Sequence, residues 1–411
     1  MTDRPLNMVL RPGFPDFIDL PWGLPLSQWS GSCARLEQVP QGLSRHPVVF
    51  VNYDGTLFAL KELPPDLASC EYEMLRELED LHVPAVTPVG HVLVEAQHGK
   101  TSVLITRYLE QSLPYRNLFM SEGLKRYRQH LLDAIAGLLV QLHLAGVYWG
   151  DCSLSNTLFR RDAGALRAYL VDAETSEIYP DHFPAMLRFH ELEIMEENIN
   201  GELLDLRAIG ALRADAPGVP VANTGTYIRL RYQSLWEEIT REDIINTEER
   251  YRIQERIRAL NALGFSVGDV ALQVTEHGEQ LRLRVVVSDR NFHRDQLSNL
   301  TGLDVEEMQA RLMMNEIQEL RATLARLHDQ STSLSVAAFH WLEQVYKPVA
   351  EQLQPLTDEQ TSVAELYCQM LEHKWYLSER AQQDVGHQAA TEDYIRCFGQ
   401  GNDKENLNSA G

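Results

Sequence analysis

The stretch from Val48 to Leu63, VVFVNYDGTLFALKEL, limits the possible folds more than any other part of the chain. β-Branched and aromatic residues flank Asp54-Gly55, a pair that accepts the positive φ angles of a two-residue hairpin turn, so two antiparallel strands are expected here. Arg35 to Val39 reads as a short strand before them, and Val86 to Glu95 and Ser102 to Tyr108 as two more after them. In between, Pro64-Pro65-Asp66 stops the hairpin and starts a helix from Leu67 to Leu81, with Leu67, Met74, Leu78 and Leu81 as its apolar stripe. After Pro114 the period becomes helical, and an apolar helix is expected from about Leu124 to Ala145, ended by Gly146. A β-rich region thus precedes an α-rich one, which places the chain in the α+β class.

The flanks read differently. The first thirty residues are rich in Pro, Trp and Gly, which suits an irregular arm fixed by its aromatic side chains. From about Asn223 charge-rich helices dominate, among them Glu248 to Leu263 and Val305 to Leu327, with one hairpin turning at His277-Gly278. The expected division is an N-terminal arm over 1–32, a β-rich lobe over 33–112, an α-rich lobe over 113–222, a mostly helical C-terminal domain over 223–398 and a disordered polar tail over 399–411.

Charge removes some functions. The 37 Lys and Arg against 59 Asp and Glu leave a net charge of −22, which argues against bulk nucleic-acid binding, since that affinity comes from clustered cations on phosphates. Cys33, Cys70, Cys152, Cys368 and Cys397 are scattered, with no zinc-type spacing, as expected of a reducing compartment. The N-terminus lacks the apolar core of a secretory signal, and Asp133, Gln141 and His143 interrupt the longest apolar stretch. A cytoplasmic protein with no transmembrane segment is expected.

The chemistry sits at the ends of apolar elements. Lys61 closes the strand LFALKE on a face where an unpaired ammonium would be costly, and Glu71 lies on the buried side of the following helix, within its reach. Taken alone, this pair reads as a structural ion pair. Asp151 and Asn156 lie five positions apart in WGDCSLSN, just after the long helix, and Asp172 ends the apolar strand AYLVD. Phosphoryl transfer needs a carboxylate for the attacking hydroxyl's proton, an amide and a carboxylate for magnesium, and a paired lysine for phosphate oxygens. Either motif alone reads as a capped loop with an Asx turn at Asp151 or an exposed strand-end Asp172, but jointly all four kinds of group are present.

Together with LHLAGVYWGDCSLSNTLF and LVDAE, these residues resemble the protein-kinase-like fold over about residues 33 to 215. More closely, WGDCSLSNTLFRRDAGAL, YLVDAET and the distal LTGLDVEEMQARLMMNEI and HKWYLSERAQQDVG are similar to a bacterial family with a lipopolysaccharide-kinase-like core and a C-terminal domain of unknown function. The resemblance implies a bilobal core followed by a helical domain containing a β-hairpin. It implies ATP and Mg2+ as cofactors, with Lys61 on the α- and β-phosphates and paired with Glu71. Asp151 would act on the acceptor hydroxyl, and Asn156 and Asp172 would hold magnesium. Thr106 takes the gatekeeper place, and Arg107 to Leu109 offer backbone groups to adenine. His143 is read as a satisfied core residue.

The departures matter too. The loop expected to cover the phosphates, PQGLSRH, has Gly42 as its only glycine, so Ser44, Arg45 and backbone amides are expected to take over the grip. Trp149-Gly150 replaces the usual His-Arg before the catalytic aspartate, and Ser153 replaces the catalytic-loop lysine, whose role falls to Arg160 or Arg161. Glycine before the aspartate leans toward a small molecule, glycan or other non-protein acceptor with a hydroxyl group. The metal motif is Asp172-Ala173-Glu174, with Glu174 open to two readings, a second metal ligand or a solvated strand-end charge. In the second half, the arginines between Arg229 and Arg294 read as a solvated, salt-bridged face or as an anion groove, and His373-Lys374-Trp375-Tyr376 as a helix-end packing knot or a cap on a substrate pocket. The expected activity is transfer of the ATP γ-phosphate. A nucleotide-binding scaffold without turnover and an AMP-transferring enzyme on the same fold are the alternatives. Nothing in the sequence signals oligomeric state.

Overall fold

The computed structural model describes residues 7–39, 46–96, 99–115, 127–180, 183–208, 223–241, 243–246, 269–274, 280–286, 292–328, 332–358 and 360–399. The chain forms two compact units, Met1–Phe159 with Arg167–Ile239, and Arg160–Leu166 with Thr240–Gly411.

The first unit is built on a six-stranded sheet in the order β1-β5-β6-β4-β3-β2. Its strands are β1 (Asn7–Leu10), β2 (Leu36–Glu37), β3 (Val48–Tyr53), β4 (Thr56–Leu63), β5 (Pro88–Ala96) and β6 (Gly99–Arg107), each pair antiparallel. The β3–β4 turn sits where expected, with φ of 52° at Asp54 and 86° at Gly55. One expectation needs correction. The arm is not wholly irregular, because Asn7–Leu10 adds an edge strand to β5, with Val9 opposite His91. Four residues are too short to show a period, and the free edge of β5, not the tetrapeptide, specifies the pairing. The rest of the arm packs by its aromatics: Phe17, Trp22 and Trp29 are buried, and the two indole N–H groups donate to the carbonyls of Phe17 and Leu24.

Helix α1 (Leu67–Asp80) buries Ala68, Glu71, Tyr72, Leu75 and Leu78, an i, i+3, i+4, i+7 face. That face is rotated from the stripe expected in the sequence, and Leu81 lies outside the helix and exposed. Glu71 nonetheless points inward, 1% exposed. Helix α2 (Tyr127–Leu144) is apolar on nearly every side, with Leu131, Leu132, Ile135, Leu138, Leu139 and Leu142 buried, which makes it the spine of the α-rich part. Its expected start at Leu124 lies outside the described residues. Gly146 ends it at φ 77°, where a Cβ would meet the Tyr179 carbonyl oxygen at 2.4 Å. Helices α3 (Ala185–Ala208) and α4 (Thr224–Thr240) follow, and between β6 and α3 the chain forms the strands β7 (Leu113–Pro114), β8 (Val147–Tyr148), β9 (Thr157–Asp162), β10 (Ala165–Leu170) and β11 (Glu177–Ile178). The β-rich segment before an α-rich one is the α+β order expected of the sequence.

The second unit has a three-stranded sheet, β12 (Asp243–Asn246), β14 (Gln280–Val286) and β13 (Asp269–Val274) in spatial order, and the helices α5 (Phe292–Thr301), α6 (Glu307–His328), α7 (Leu334–Trp341), α8 (Lys347–Leu353), α9 (Val363–Ala381) and α10 (His387–Phe398). Strands β13 and β14 are the expected hairpin, although its turn, the expected helix Glu248 to Leu263 and residues 400–411 of the expected tail lie outside the described residues. Met313, Ile317, Trp341, Tyr367 and Met370 centre its core. Buried acids are tied into the backbone here. Asp162 accepts from the Met308 and Gln309 amides, and Glu365, fully buried, accepts from the amides of Ala163 and Gly164. Among the described residues, no helix is long and apolar enough to cross a membrane.

Candidate active site

Strand β4 and helix α1 bring Lys61 to Glu71, with Nζ 3.1 Å from Oε2 and 3.3 Å from Oε1. The same ammonium donates to Asp172 Oδ2 at 2.7 Å. Burial alone would push the Lys61 pKa down, yet the two carboxylates outweigh it and hold the ammonium charged. Burial and the charge of Asp172 push the Glu71 carboxyl up to about 7. The side chain of Asp172 keeps 29% of its surface exposed, so this is a linked cation and acid pair with one carboxylate facing out.

A second cluster forms in the loop after α2. Asn156 Nδ2 donates to Asp151 Oδ2 and to the Asp151 carbonyl, both at 3.1 Å, which leaves the Asn156 carbonyl oxygen turned the other way. The clusters are stitched together: Val171 N donates to the Asn156 carbonyl at 3.1 Å, and Trp149 Nε1 to the Asp172 carbonyl at 2.8 Å. Gly150 has φ 83°, and a Cβ there would lie 2.8 Å from the Thr175 carbonyl oxygen, so the replacement of a larger residue before Asp151 has a steric cause.

Three residues of α3 that the sequence reading did not single out hold this loop from below. Glu191 Oε1 accepts from the amides of Trp149 and Gly150, both at 2.8 Å, while its Oε2 meets His143 Nε2 at 2.7 Å. His143, 2% exposed, also meets the Tyr232 hydroxyl at 2.7 Å, and burial lowers its pKa; it is a satisfied core residue. Asn198 Nδ2 donates to Asp151 Oδ1 at 3.0 Å and to the Cys152 carbonyl at 3.2 Å. Glu202 accepts from the Leu154 and Ser155 amides at 2.7 and 3.0 Å. The signal was in the sequence: residues 191, 198 and 202 share the face of Leu192, Met195, Ile199 and Leu203, where a polar side chain needs a buried partner.

The remaining candidates divide. Thr106 is buried at the end of β6, and Arg107 and Tyr108 follow it. The amides of Arg107 and Tyr108 are taken by the Thr87 and Leu57 carbonyls, so of the expected hinge donors only the Leu109 amide lacks a hydrogen bond among the described residues. Ser44 and Arg45 lie outside the described residues. Glu174 N donates to Asp172 Oδ1 at 3.1 Å, and the Glu174 carboxylate lies 3.9 Å from His46 Nε2, just after the segment expected to cover the phosphates. Arg160 and Arg161, expected to stand in for the missing lysine, are engaged within the second unit, with Glu306 at 2.8 Å and the Thr361 hydroxyl at 2.6 Å.

Asn156 and Asp172 can offer only oxygen donors to a cation, the kind that suits magnesium and not a soft metal. Residues 57–208 match the model of the lipopolysaccharide kinase (Kdo/WaaP) family. This segment is thus similar to a kinase family. It contains Lys61, Glu71, Thr106, Asp151, Asn156, Asp172 and all three α3 supports. Residues 234–398 match a domain of unknown function (DUF4032). No curated protein sequence matches the chain. Among solved structures, one described as "WaaP in complex with acyl carrier protein" is similar at 16% identity and a TM-score of 0.36, covering 63% of this chain and 99% of that one.

Proposed function

We propose that the first unit is an ATP- and Mg2+-dependent phosphotransferase whose acceptor is a hydroxyl of a glycan or other small non-protein molecule. The observation that carries the reading is the convergence of a doubly paired lysine with Asp172, directly bonded through the backbone to the loop that holds Asp151 and Asn156. Lys61 holds phosphate oxygens of ATP, positioned by Glu71. Asn156 and Asp172 hold magnesium, which when bound screens the negative charge of the phosphates. Asp151 takes the acceptor's hydroxyl proton, the freed oxygen bonds to the γ-phosphorus, and the bond to the β–γ bridging oxygen breaks to leave ADP. Both oxygens of Asp151 already accept amide hydrogens, so the carboxylate is oriented before an acceptor arrives. The non-protein acceptor rests on the family match and on Gly150 before Asp151.

Incubation with Mg-ATP labelled at the α or the γ position, in the presence of a bacterial glycan and glycolipid extract, tests this. Transfer of γ label is expected. Transfer of α label assigns AMP transfer instead, and no transfer with intact nucleotide binding assigns a scaffold.

A further inference from the structure

We propose that His373, Asp393 and Cys397 in the second unit form a binding site for a zinc-class divalent metal ion that ties α9 to α10. Their ligand atoms, an imidazole nitrogen, a carboxylate oxygen and a thiol sulfur, all lie within 4.8 Å of one another. Asp393 and Cys397 are one turn apart on α10, so they share a face, and His373 meets them from α9.

Distances support the assignment. A tetrahedral zinc ion has bonds of about 2.0 Å to nitrogen, 2.0–2.2 Å to oxygen and 2.3 Å to sulfur, which puts neighbouring ligand atoms roughly 3.3–3.7 Å apart. Cys397 Sγ lies 3.7 Å from Asp393 Oδ2, already a ligand edge. His373 Nε2 lies 2.8 Å from the same oxygen, a hydrogen bond that opens by about half an ångström when a metal ion replaces the proton. The surroundings hold the ligands in place. The His373 ring is wedged against Tyr394 and Phe398, with centroids 5.9 and 5.6 Å away. Arg396 pairs with Asp393 Oδ1 and leaves Oδ2 facing the other two ligands, the division of labour seen in carboxylates that bind a metal through one oxygen. One sulfur, one imidazole and one carboxylate select zinc or cobalt over magnesium or calcium. Cys397 is exposed, so the fourth position faces solvent.

Titrating the full-length, untagged chain with Co2+ tests the site. A thiolate-to-cobalt charge-transfer band in the near ultraviolet is expected to saturate at one equivalent and to be displaced by Zn2+. Cys397→Ser should remove the band, and His373→Ala should weaken affinity at least tenfold. Cobalt at the oxygen donors of the first unit gives no thiolate band, so binding without the band overturns the proposal. So does a band that survives Cys397→Ser, which would assign another thiol, or a failure to bind at all, which leaves an ordinary His–Asp hydrogen bond beside a cysteine. Zinc should also raise the melting temperature of the wild type by several degrees and leave that of His373→Ala unmoved; equal shifts in both contradict the site.

Discussion

In the first unit Asp151 is held by two side-chain amides and Asp172 by Lys61 and the Glu174 amide, and both keep part of their surface open, whereas in the second unit Asp162 and Glu365 are buried and closed over by backbone amides. On the proposed function, the difference separates acids that do chemistry from acids that fix a fold. A carboxylate buried from solvent among N–H donors is worth stability, and no substrate or cation can reach it. A carboxylate oriented by side-chain amides with one edge exposed stays within their reach. Helix α3 shows both arrangements at once, since Glu191 and Glu202 are taken up by amides of the loop after α2 and Asn198 orients Asp151, which stays partly exposed.

Substitutions can break this contrast. The largest effect is expected at Lys61. Lys61→Ala leaves the Glu71 and Asp172 carboxylates facing each other without their cation, and turnover of ATP should fall by at least about a hundredfold. A fall of less than threefold would remove Lys61 from the phosphate grip. At Glu365, removal of the acceptor leaves the Ala163 and Gly164 amides and the Gln309 side chain unsatisfied. Urea unfolding of Glu365→Ala should show a loss of about 2–4 kcal/mol in the second unit, and a change within error would show that the hub is not structural. Asn198→Ala should lower turnover roughly tenfold while fluorescent-nucleotide affinity stays constant, because only the aim of Asp151 is disturbed; an equal loss in both would make Asn198 a folding residue. The smallest effect concerns pH. Burial pushes Glu316 up, but His387, Tyr367 and Trp341 outweigh it and hold its pKa below the usual carboxylate range. A depressed folded pKa gives stability that is present above the unfolded carboxyl pKa and lost as pH falls through the folded value. His387→Ala should therefore shift the acid limb of the melting curve upward in pH, and an unmoved limb would contradict the pairing.

Much of the first unit was legible because its signals are local. Asp54-Gly55 dictates its own turn, and Lys61, Asp151, Asn156 and Asp172 stand at element ends that the hydrophobic period marks. The rotated face of α1 was missed because Tyr72 and Leu75 bury better than Leu67 and Met74 once the sheet is present. Strand β1 and the α3 supports depend on partners 80 and 40 or more residues away, such as His91 for Val9 and Asp151 for Asn198, and a local pattern does not carry such pairings. The second unit was least legible. Its acids look like a solvated charge pattern until the tip of the β9–β10 hairpin, β9 (Thr157–Asp162) and β10 (Ala165–Leu170), supplies the amides that Glu365 accepts.

On the proposed function, Asp151 is the open carboxylate that accepts the acceptor proton. A single-turnover measurement with γ-labelled Mg-ATP on the wild type and Asp151→Asn, with nucleotide affinity measured on the same samples, tests this role. Equal affinity and a loss of label transfer of about a thousandfold or more are expected in the variant. Transfer by Asp151→Asn at the wild-type rate would contradict it.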